Sequence, residues 1–211
     1  MMLNVCYACG LYRVDKVGEG VGKDAVAICP ECGFGQPFVR QPLLIVGGAS
    51  GTGKSTALRL MMGTERPFVP LEMDVLNLEG FPPDGKWHLF HEAWLRLAKN
   101  IGQAGQPVLL FGAGAGVPSN IEPCVERRYF TAVYYLALVC DEAELAQRLR
   151  ARPAWRKSGS EQFIEDMLNF NRWFRTDGQT LDTPIALFDT TAVSVADTVA
   201  AIEAWSVEKL R

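Results

Sequence analysis

The run Gly48-Ala49-Ser50-Gly51-Thr52-Gly53-Lys54-Ser55 has the residue types and spacing to hold phosphate. Its glycines let the backbone curl so that successive N–H groups point inward at phosphate oxygens. Lys54 supplies a point charge for the β- and γ-phosphates, and the Ser55 hydroxyl can ligate Mg²⁺. A helix starting near Lys54 adds its positive end. The pattern Gly-x₄-Gly-Lys-Ser is met at every specified position. Gly48, Ser50, Gly51, Thr52, Gly53, Lys54, Ser55 and Thr56 are therefore the candidate contacts to the phosphates of ATP or GTP.

A second chemistry lies in the first forty residues. Cys6-Tyr7-Ala8-Cys9-Gly10 and Cys29-Pro30-Glu31-Cys32-Gly33 are two CxxCG units with 19 residues between Cys9 and Cys29. Four thiolates at this spacing suit tetrahedral Zn²⁺, and iron is chemically possible in the same cage. The glycine after each pair permits the tight turn that aims sulfur and backbone N–H at a metal. The units resemble the knuckles of a zinc ribbon, or equally of rubredoxin, and the resemblance covers these forty residues only. Cys124 and Cys140 stand apart and read as core residues.

The third cluster is cationic. Between Arg148 and Arg175 lie Arg148, Arg150, Arg152, Arg156, Lys157, Arg172 and Arg175, against only Glu161, Glu165 and Asp166. Phosphoryl transfer needs cations on the moving group, and a mobile arginine-bearing segment excludes water. Arg152-Pro153-Ala154-Trp155-Arg156-Lys157-Ser158-Gly159-Ser160 fits such a lid, with Arg152 and Arg156 as its candidate catalytic residues.

These groups need elements to position them. Leu43-Leu44-Ile45-Val46, running into glycines, reads as a buried parallel strand ending in a loop. A helix follows over 55–62, stopped at Gly63. A second strand is a candidate around 68–71, where Pro67 and Pro70 make it weak or an edge. Leu89, Phe90, Ala93, Trp94, Leu97, Ala98 and Ile101 recur at helical spacing and predict an amphipathic helix over 89–101. Further strands are expected at 108–112, 133–140 and 185–189, with helices at 142–150 and 161–175. Ser194 with Asp197 three positions on resembles a capping box opening a last helix. Strands alternating with helices argue for an α/β domain over 41–211, a parallel sheet covered on both faces, preceded by a metal module over 1–40.

The chain resembles the small P-loop kinases, the grouping of nucleoside monophosphate, shikimate and gluconate kinases. The matching features are the loop 48–55, the glycine-rich stretch Gly112-Ala113-Gly114-Ala115-Gly116, and Arg148, Arg152 and Arg156. A stretch similar to Arg152-Pro153-Ala154-Trp155-Arg156 occurs in bacterial nucleoside-kinase-like ATPases. The resemblance implies a P-loop NTPase three-layer fold with a five-stranded sheet of order 2-3-1-4-5. It also implies ATP with Mg²⁺, a short lid over the nucleotide, and the loop Asp189-Thr190-Thr191 beside the adenine. Related kinases place a carboxylate just beyond the second strand, which makes Asp74 the candidate base for the acceptor and Glu72 its rival. His88 and His91 are weaker candidates. The third strand ends Leu110-Phe111-Gly112 without the acidic residue of GTPases and motor ATPases, which weakens those readings.

Composition sets the outer limits. With 211 residues, 48% hydrophobic and 21% charged, the chain can bury a core without disulfides. A net charge of −3 gives no general attraction to nucleic acid or acidic membranes. Within 1–40, Arg13, Lys16, Lys23 and Arg40 are matched by Asp15, Glu19, Asp24 and Glu31, so the ribbon lacks the basic surplus of a nucleic-acid footprint. No run approaches the roughly 18 apolar residues that span a bilayer, and the start Met1-Met2-Leu3-Asn4 is unlike a signal peptide. A reducing, cytoplasmic setting is expected. The leading expectation is a kinase using Mg-ATP on a small-molecule acceptor. The alternatives are a nucleic-acid 5′-hydroxyl kinase and a nucleotide-binding switch that docks a partner through the ribbon. Oligomeric state is not encoded in these patterns.

Overall fold

The computed structural model describes residues 3–156 and 158–211, so Lys157 of the cationic cluster lies outside the described residues. Two sheets organise the chain. The first is antiparallel, with β1 (Val17–Glu19), β2 (Gly22–Ile28) and β3 (Gly35–Arg40) in that order. This small sheet is consistent with a zinc-ribbon module.

The second sheet is parallel. Its strands are β4 (Leu43–Gly47), β5 (Val69–Glu72), β6 (Val108–Phe111), β7 (Val133–Val139) and β8 (Ile185–Asp189). Their spatial order is β5-β6-β4-β7-β8, the 2-3-1-4-5 arrangement that the resemblance implies. The Pro70-bearing strand β5 is an edge, where a missing N–H costs no ladder bond. Among the described residues, six α-helices accompany the sheets: α1 (Lys54–Met61), α2 (Trp87–Gly102), α3 (Pro118–Ile121), α4 (Glu142–Arg150), α5 (Glu161–Arg175) and α6 (Val195–Lys209).

The apolar run of β4 is continuous because both of its faces are covered. Leu43 and Ile45 pack into one core with Trp94 and Leu95 of α2 and Phe174 of α5. Leu44 and Val46 face the other core, with Leu58 and Met61 of α1 and Ile202 of α6. Alternate residues of a strand point to opposite faces, so a doubly covered strand must be apolar at every position. Two helix starts are capped by serines, the first of them foreseen in the sequence and the second not. The Ser194 hydroxyl accepts from the Asp197 N–H at 3.1 Å, and Ser160 caps α5 in the same way at the Phe163 N–H.

The face of α2 differs from the expected one. Leu89 and Leu97 are exposed, and the buried stripe is Phe90, His91, Trp94, Leu95 and Ala98. The heptad-like pattern was wide enough to fit two overlapping stripes. Trp94 is common to both, and its Nε1 donates to the Met73 carbonyl at 3.1 Å.

A buried ionic cluster joins the two sheets. Glu126 is fully buried in the turn 125–129 and accepts from Lys99 of α2, also buried, and from Arg96 Nε at 2.8 Å. The Lys99 ammonium donates to Asn4 Oδ1 at 2.9 Å and lies 4.0 Å from the ring centre of Tyr129. Tyr129 in turn packs with Leu3, Ala25, Ala27 and Phe38 of the first sheet, and its hydroxyl donates to the Val14 carbonyl at 2.9 Å. Gln103, at the end of α2, pairs both its amide groups with the backbone of Val39, at 2.9 Å each. Removing one partner of a buried ion pair strands the other charge in a poor solvent. Glu126→Gln is therefore expected to lower stability by about 3–5 kcal/mol in a urea melt. A loss below about 1 kcal/mol would mean that the cluster is not what joins the sheets.

Candidate functional site

The segment between β4 and α1 closes into a loop because its neighbours leave no room for side chains. A Cβ on Gly48, whose φ is 124°, would collide with the carbonyl oxygen of Leu138. Gly47 and Gly116 face each other so closely that a Cβ on Gly47 would lie 2.5 Å from the Gly116 Cα. The stretch 112–116 is thus glycine-rich where it crosses the β4 exit. Thr52, buried, ties the loop internally through its hydroxyl to the Ala49 carbonyl at 2.9 Å.

Lys54 is only partly buried as a residue, but its ammonium sits deep in the loop. It donates to the carbonyls of Gly48 at 2.5 Å and Ala49 at 2.9 Å. Burial, together with the charge of Arg152, pushes its pKa down to about 8, while Asp74 and Glu72 act the other way. A cation held in this state gains from an anion placed beside it. Ser55, next in sequence, donates from its hydroxyl to a carboxylate oxygen of Glu72, the last residue of β5.

A cavity of about 440 Å³ opens over the loop at the carboxyl ends of the strands. Ser50, Gly51, Gly53, Lys54, Ser55 and Thr56 line it from the loop and α1, Glu72 and Asp74 from the end of β5, and Arg148, Arg152 and Arg156 from the far side. Asp74 is exposed and sits in a 3-10 turn beginning at Met73, so the face-sharing of a continued strand does not apply to Glu72 and Asp74. Both still reach the cavity, because the turn folds over the end of β5. Gly48 and Thr52 stand behind its wall. Thr52, Arg148 and Thr190 line an adjoining cavity of about 310 Å³ that shares Gly51, Gly53 and Thr56 with the first. Arg148 holds that second wall in place, donating to the carbonyls of Thr190 at 2.9 Å and Thr191 at 3.0 Å. His91 is buried beside Gly114, and burial, with a smaller effect from His88, holds its pKa below the ordinary value.

The cationic cluster divides into two kinds. Arg148 pairs with Glu144, Arg150 with Glu161, Arg172 with Glu142 and Arg175 with Asp189. Among the described residues, no carboxylate pairs with Arg152 or Arg156. Arg156 instead lies 4.8 Å from the ring centre of the exposed Trp155, and burial and Arg156 hold the Arg152 pKa below the ordinary guanidinium range. The two arginines singled out in the sequence thus stand at the cavity without a carboxylate partner, as does Arg59 of α1 among the described residues.

Two further residues reach the site. Glu72, seen in the sequence only as a rival base, is engaged with Ser55. Arg59 of α1 lines the cavity, its Nε 3.2 Å from the Ser55 carbonyl. Its spacing of four from Ser55 on a helix put it on the same face, a signal available in the sequence.

The four cysteines of the first sheet converge separately. Their sulfurs all lie within 4.8 Å of one another, with Cys6–Cys32 at 3.6 Å and Cys9–Cys29 at 3.9 Å. A tetrahedron with ~2.3 Å metal–sulfur bonds places sulfurs roughly 3.8 Å apart, so the donor set fits zinc. The two knuckles repeat one geometry: Gly10 N–H donates to the Cys6 carbonyl and Gly33 N–H to the Cys29 carbonyl, each at 2.9 Å, and both glycines have φ of 73°. The Cys9 N–H lowers the pKa of Cys6 and the Cys32 N–H that of Cys29, whereas at Cys32 the Phe34 N–H is outweighed by burial and the neighbouring thiols, which push it up to about 11.

Solved structures with a similar fold include a gluconokinase from Sinorhizobium meliloti 1021, 18% identical at a TM-score of 0.54, covering 81% of this chain and 95% of that one. A sugar kinase from Janibacter sp. HTCC2649 is 14% identical at 0.57, covering 80% and 95%. The tunicamycin resistance protein of Deinococcus radiodurans is 15% identical at 0.51, covering 79% and 96%. The chain shares their fold. At these identities the likeness is one of architecture, and no known protein family and no curated protein matches the sequence. Among the described residues, no helix is long and apolar enough to cross a membrane.

Metal analysis of purified protein is expected to find one zinc per chain. Replacing both Cys9 and Cys32 with serine should abolish it and lower the melting temperature. A chain free of zinc and iron when purified without chelators would contradict the site.

Proposed function

We propose that the chain is an ATP-dependent phosphotransferase acting on a hydroxyl or phosphate group of a small molecule. The observation that carries this reading is the convergence on one cavity of Lys54, the unpaired Arg152 and Arg156, and the carboxylates of Glu72 and Asp74. Cations alone would suit a binding site. Cations facing carboxylates across a space the size of a triphosphate suit transfer, because the anion to be stabilised and the proton to be removed lie at opposite ends.

In this reading the loop 48–53 and Lys54 hold the β- and γ-phosphates. Thr190, Thr52 and Arg148 form the wall beside the base. Ser55 and Glu72 are the pair that would hold Mg²⁺, which when bound would neutralise phosphate charge. The acceptor oxygen attacks the γ-phosphorus while the bond from that phosphorus to the bridging oxygen of ADP breaks. The proton of an acceptor hydroxyl passes to Asp74. Arg152 and Arg156 face the equatorial oxygens of the moving group, where charge is spread in a loose transition state. The engagement of Glu72 with Ser55 supports Asp74 as the base, since it leaves Asp74 as the free carboxylate. The resident role of zinc is structural here, because four sulfur ligands leave no open position for water. The residues 1–40 and 41–211 then divide into a metal module and a catalytic domain.

Transfer of labelled γ-phosphate from Mg-ATP to pools of sugars, sugar acids, nucleosides, nucleotides and oligonucleotides tests the reading. Labelling within a small-molecule pool is expected, and labelling of no pool would refute it. Given an acceptor, Arg152→Ala and Arg156→Ala should each lower kcat about a hundredfold while shifting the melting temperature by no more than about 2 °C. Normal kcat in both variants would return these arginines to an ordinary solvated surface. Asp74→Asn should lower kcat about a hundredfold or more with ATP binding retained. Glu72→Gln should instead raise the Mg²⁺ concentration needed for half-maximal rate. If Glu72→Gln shows the loss and Asp74→Asn does not, the base is Glu72.

A further inference from the structure

At the opposite end of the parallel sheet, where β4 and β7 begin, a cleft of about 420 Å³ lies against the first sheet. Val17 and Gly18 of β1, Arg40 at the end of β3, and residues 122–125, Arg127 and Arg128 form its walls. Three arginines, Arg40, Arg127 and Arg128, meet there against one carboxylate, Glu122. That carboxylate is fully engaged, accepting from Arg127 Nε and from the Tyr135 hydroxyl, each at 2.8 Å. Behind this wall Glu92 accepts from the Val125 N–H at 2.6 Å and the Glu126 N–H at 3.1 Å, and Asp15 is held by Arg13 at 2.6 and 2.9 Å. Glu126 is buried beneath, between Lys99 and Arg96.

Arg40 and Arg128 therefore have no carboxylate. Among the described residues, Arg40 donates only to the carbonyls of Gly20 at 3.2 Å and Arg128 at 2.9 Å, and its Nε–H is buried with no acceptor. Arg128 donates only to the carbonyls of Val125 and Asp15, each at 3.0 Å. β1 passes flat against this pair, since a Cβ on Gly18 would lie 3.1 Å from the Arg128 carbonyl and 3.5 Å from the Arg40 guanidinium carbon. Burial and the charge of Arg127 hold the Arg40 pKa below the ordinary guanidinium range. The Cys124 thiol in the same wall is pushed up to about 12, by burial first and then by Glu92, Glu122 and Glu126, so it offers no thiolate for covalent chemistry.

Guanidinium groups crowded together and short of counter-charge, with Arg40 and Arg127 half-buried and Arg128 exposed, are matched by an oxyanion, which accepts from their N–H forks and cancels their repulsion. We propose that this cleft is a second anion site, remote from the nucleotide loop, that takes a phosphate group. The apolar Val17, Pro123 and Val125 at its rim would meet the body of a small phosphate monoester. Because the turn 125–129 carries Glu126 and Tyr129, an anion bound here would rest on the junction between the two sheets.

The test uses full-length protein carrying Lys54→Ala, so that the nucleotide loop does not dominate phosphate binding. Inorganic phosphate and ribose 5-phosphate are titrated separately by calorimetry at low salt. Saturable binding of at least one is expected, weakened at least about tenfold by Arg40→Gln and by Arg127→Gln. Tighter binding of ribose 5-phosphate would mark a phosphorylated metabolite as the natural source, and equal binding would mark free phosphate. Should Arg40→Gln fail to fold by circular dichroism, Arg127→Gln decides alone. No saturable binding, or binding undiminished in the folded variants, would overturn the proposal and leave Arg40 as a purely structural strap.

Discussion

A lysine ammonium held by two backbone carbonyls, with two unpaired arginines across the cavity, is a charge arrangement that the rest of the structure exists to maintain. Like charges gathered in a partly dry space repel one another and lose hydration. They stay together only where stiff elements fix them and where a multiply charged anion compensates them. The stiffness is visible in the exit of β4. Its strand is buried on both faces, its loop is clasped by Thr52, and the glycine stretch after β6 crosses close enough to exclude any side chain at Gly47. Arg152 and Arg156 come from a different region, between α4 and α5, anchored on one side by the ion pair of Arg150 with Glu161.

The cysteine-bearing sheet is connected to this machinery through α2. One end of that helix carries Phe90, His91 and Trp94 beneath the Asp74 turn and the glycine stretch. The other end carries Lys99 and Gln103 into the first sheet. The first sheet and the candidate acceptor side of the cavity thus share one rigid element. A buried lysine–glutamate pair is a costly way to join two surfaces compared with apolar packing, and what it adds is a fixed register. Gln103 bonding the Val39 backbone from both amide groups has the same effect.

Much of this was legible in the sequence, for reasons that differ by element. The β4 run, the phosphate loop and α1 combine a doubly buried strand with a motif whose residue types have few other uses. Helix α4 was bounded by the strand before it and by Pro153, α5 showed an apolar side and α6 a cap, and the strand order followed from resemblance. The knuckle cysteines were readable because paired CxxC units place sulfurs locally. By contrast, β1, β2 and β3 are short and half exposed, with no alternation strong enough to mark them. Lys99 and Glu126 look like surface residues until α2 and the turn 125–129 bring them together. The engagement of Ser55 by Glu72 depends on β5 lying next to α1, a long-range fact that spacing does not contain. Arg152 and Arg156 looked no different from Arg150 or Arg172 by type, and it is the absence of a carboxylate partner that separates them.

The most direct test of the account is the nucleotide-dependent shift in melting temperature of the wild-type chain beside Lys54→Ala. With Mg-ATP at about 100 times its dissociation constant, mass action raises stability by about 2.7 kcal/mol, a shift of roughly 5–10 °C for a chain of this size. The account predicts that shift in the wild type and its loss in Lys54→Ala, with the two unliganded proteins melting within a few degrees of each other. An equal shift in both proteins, or none in the wild type, would contradict it.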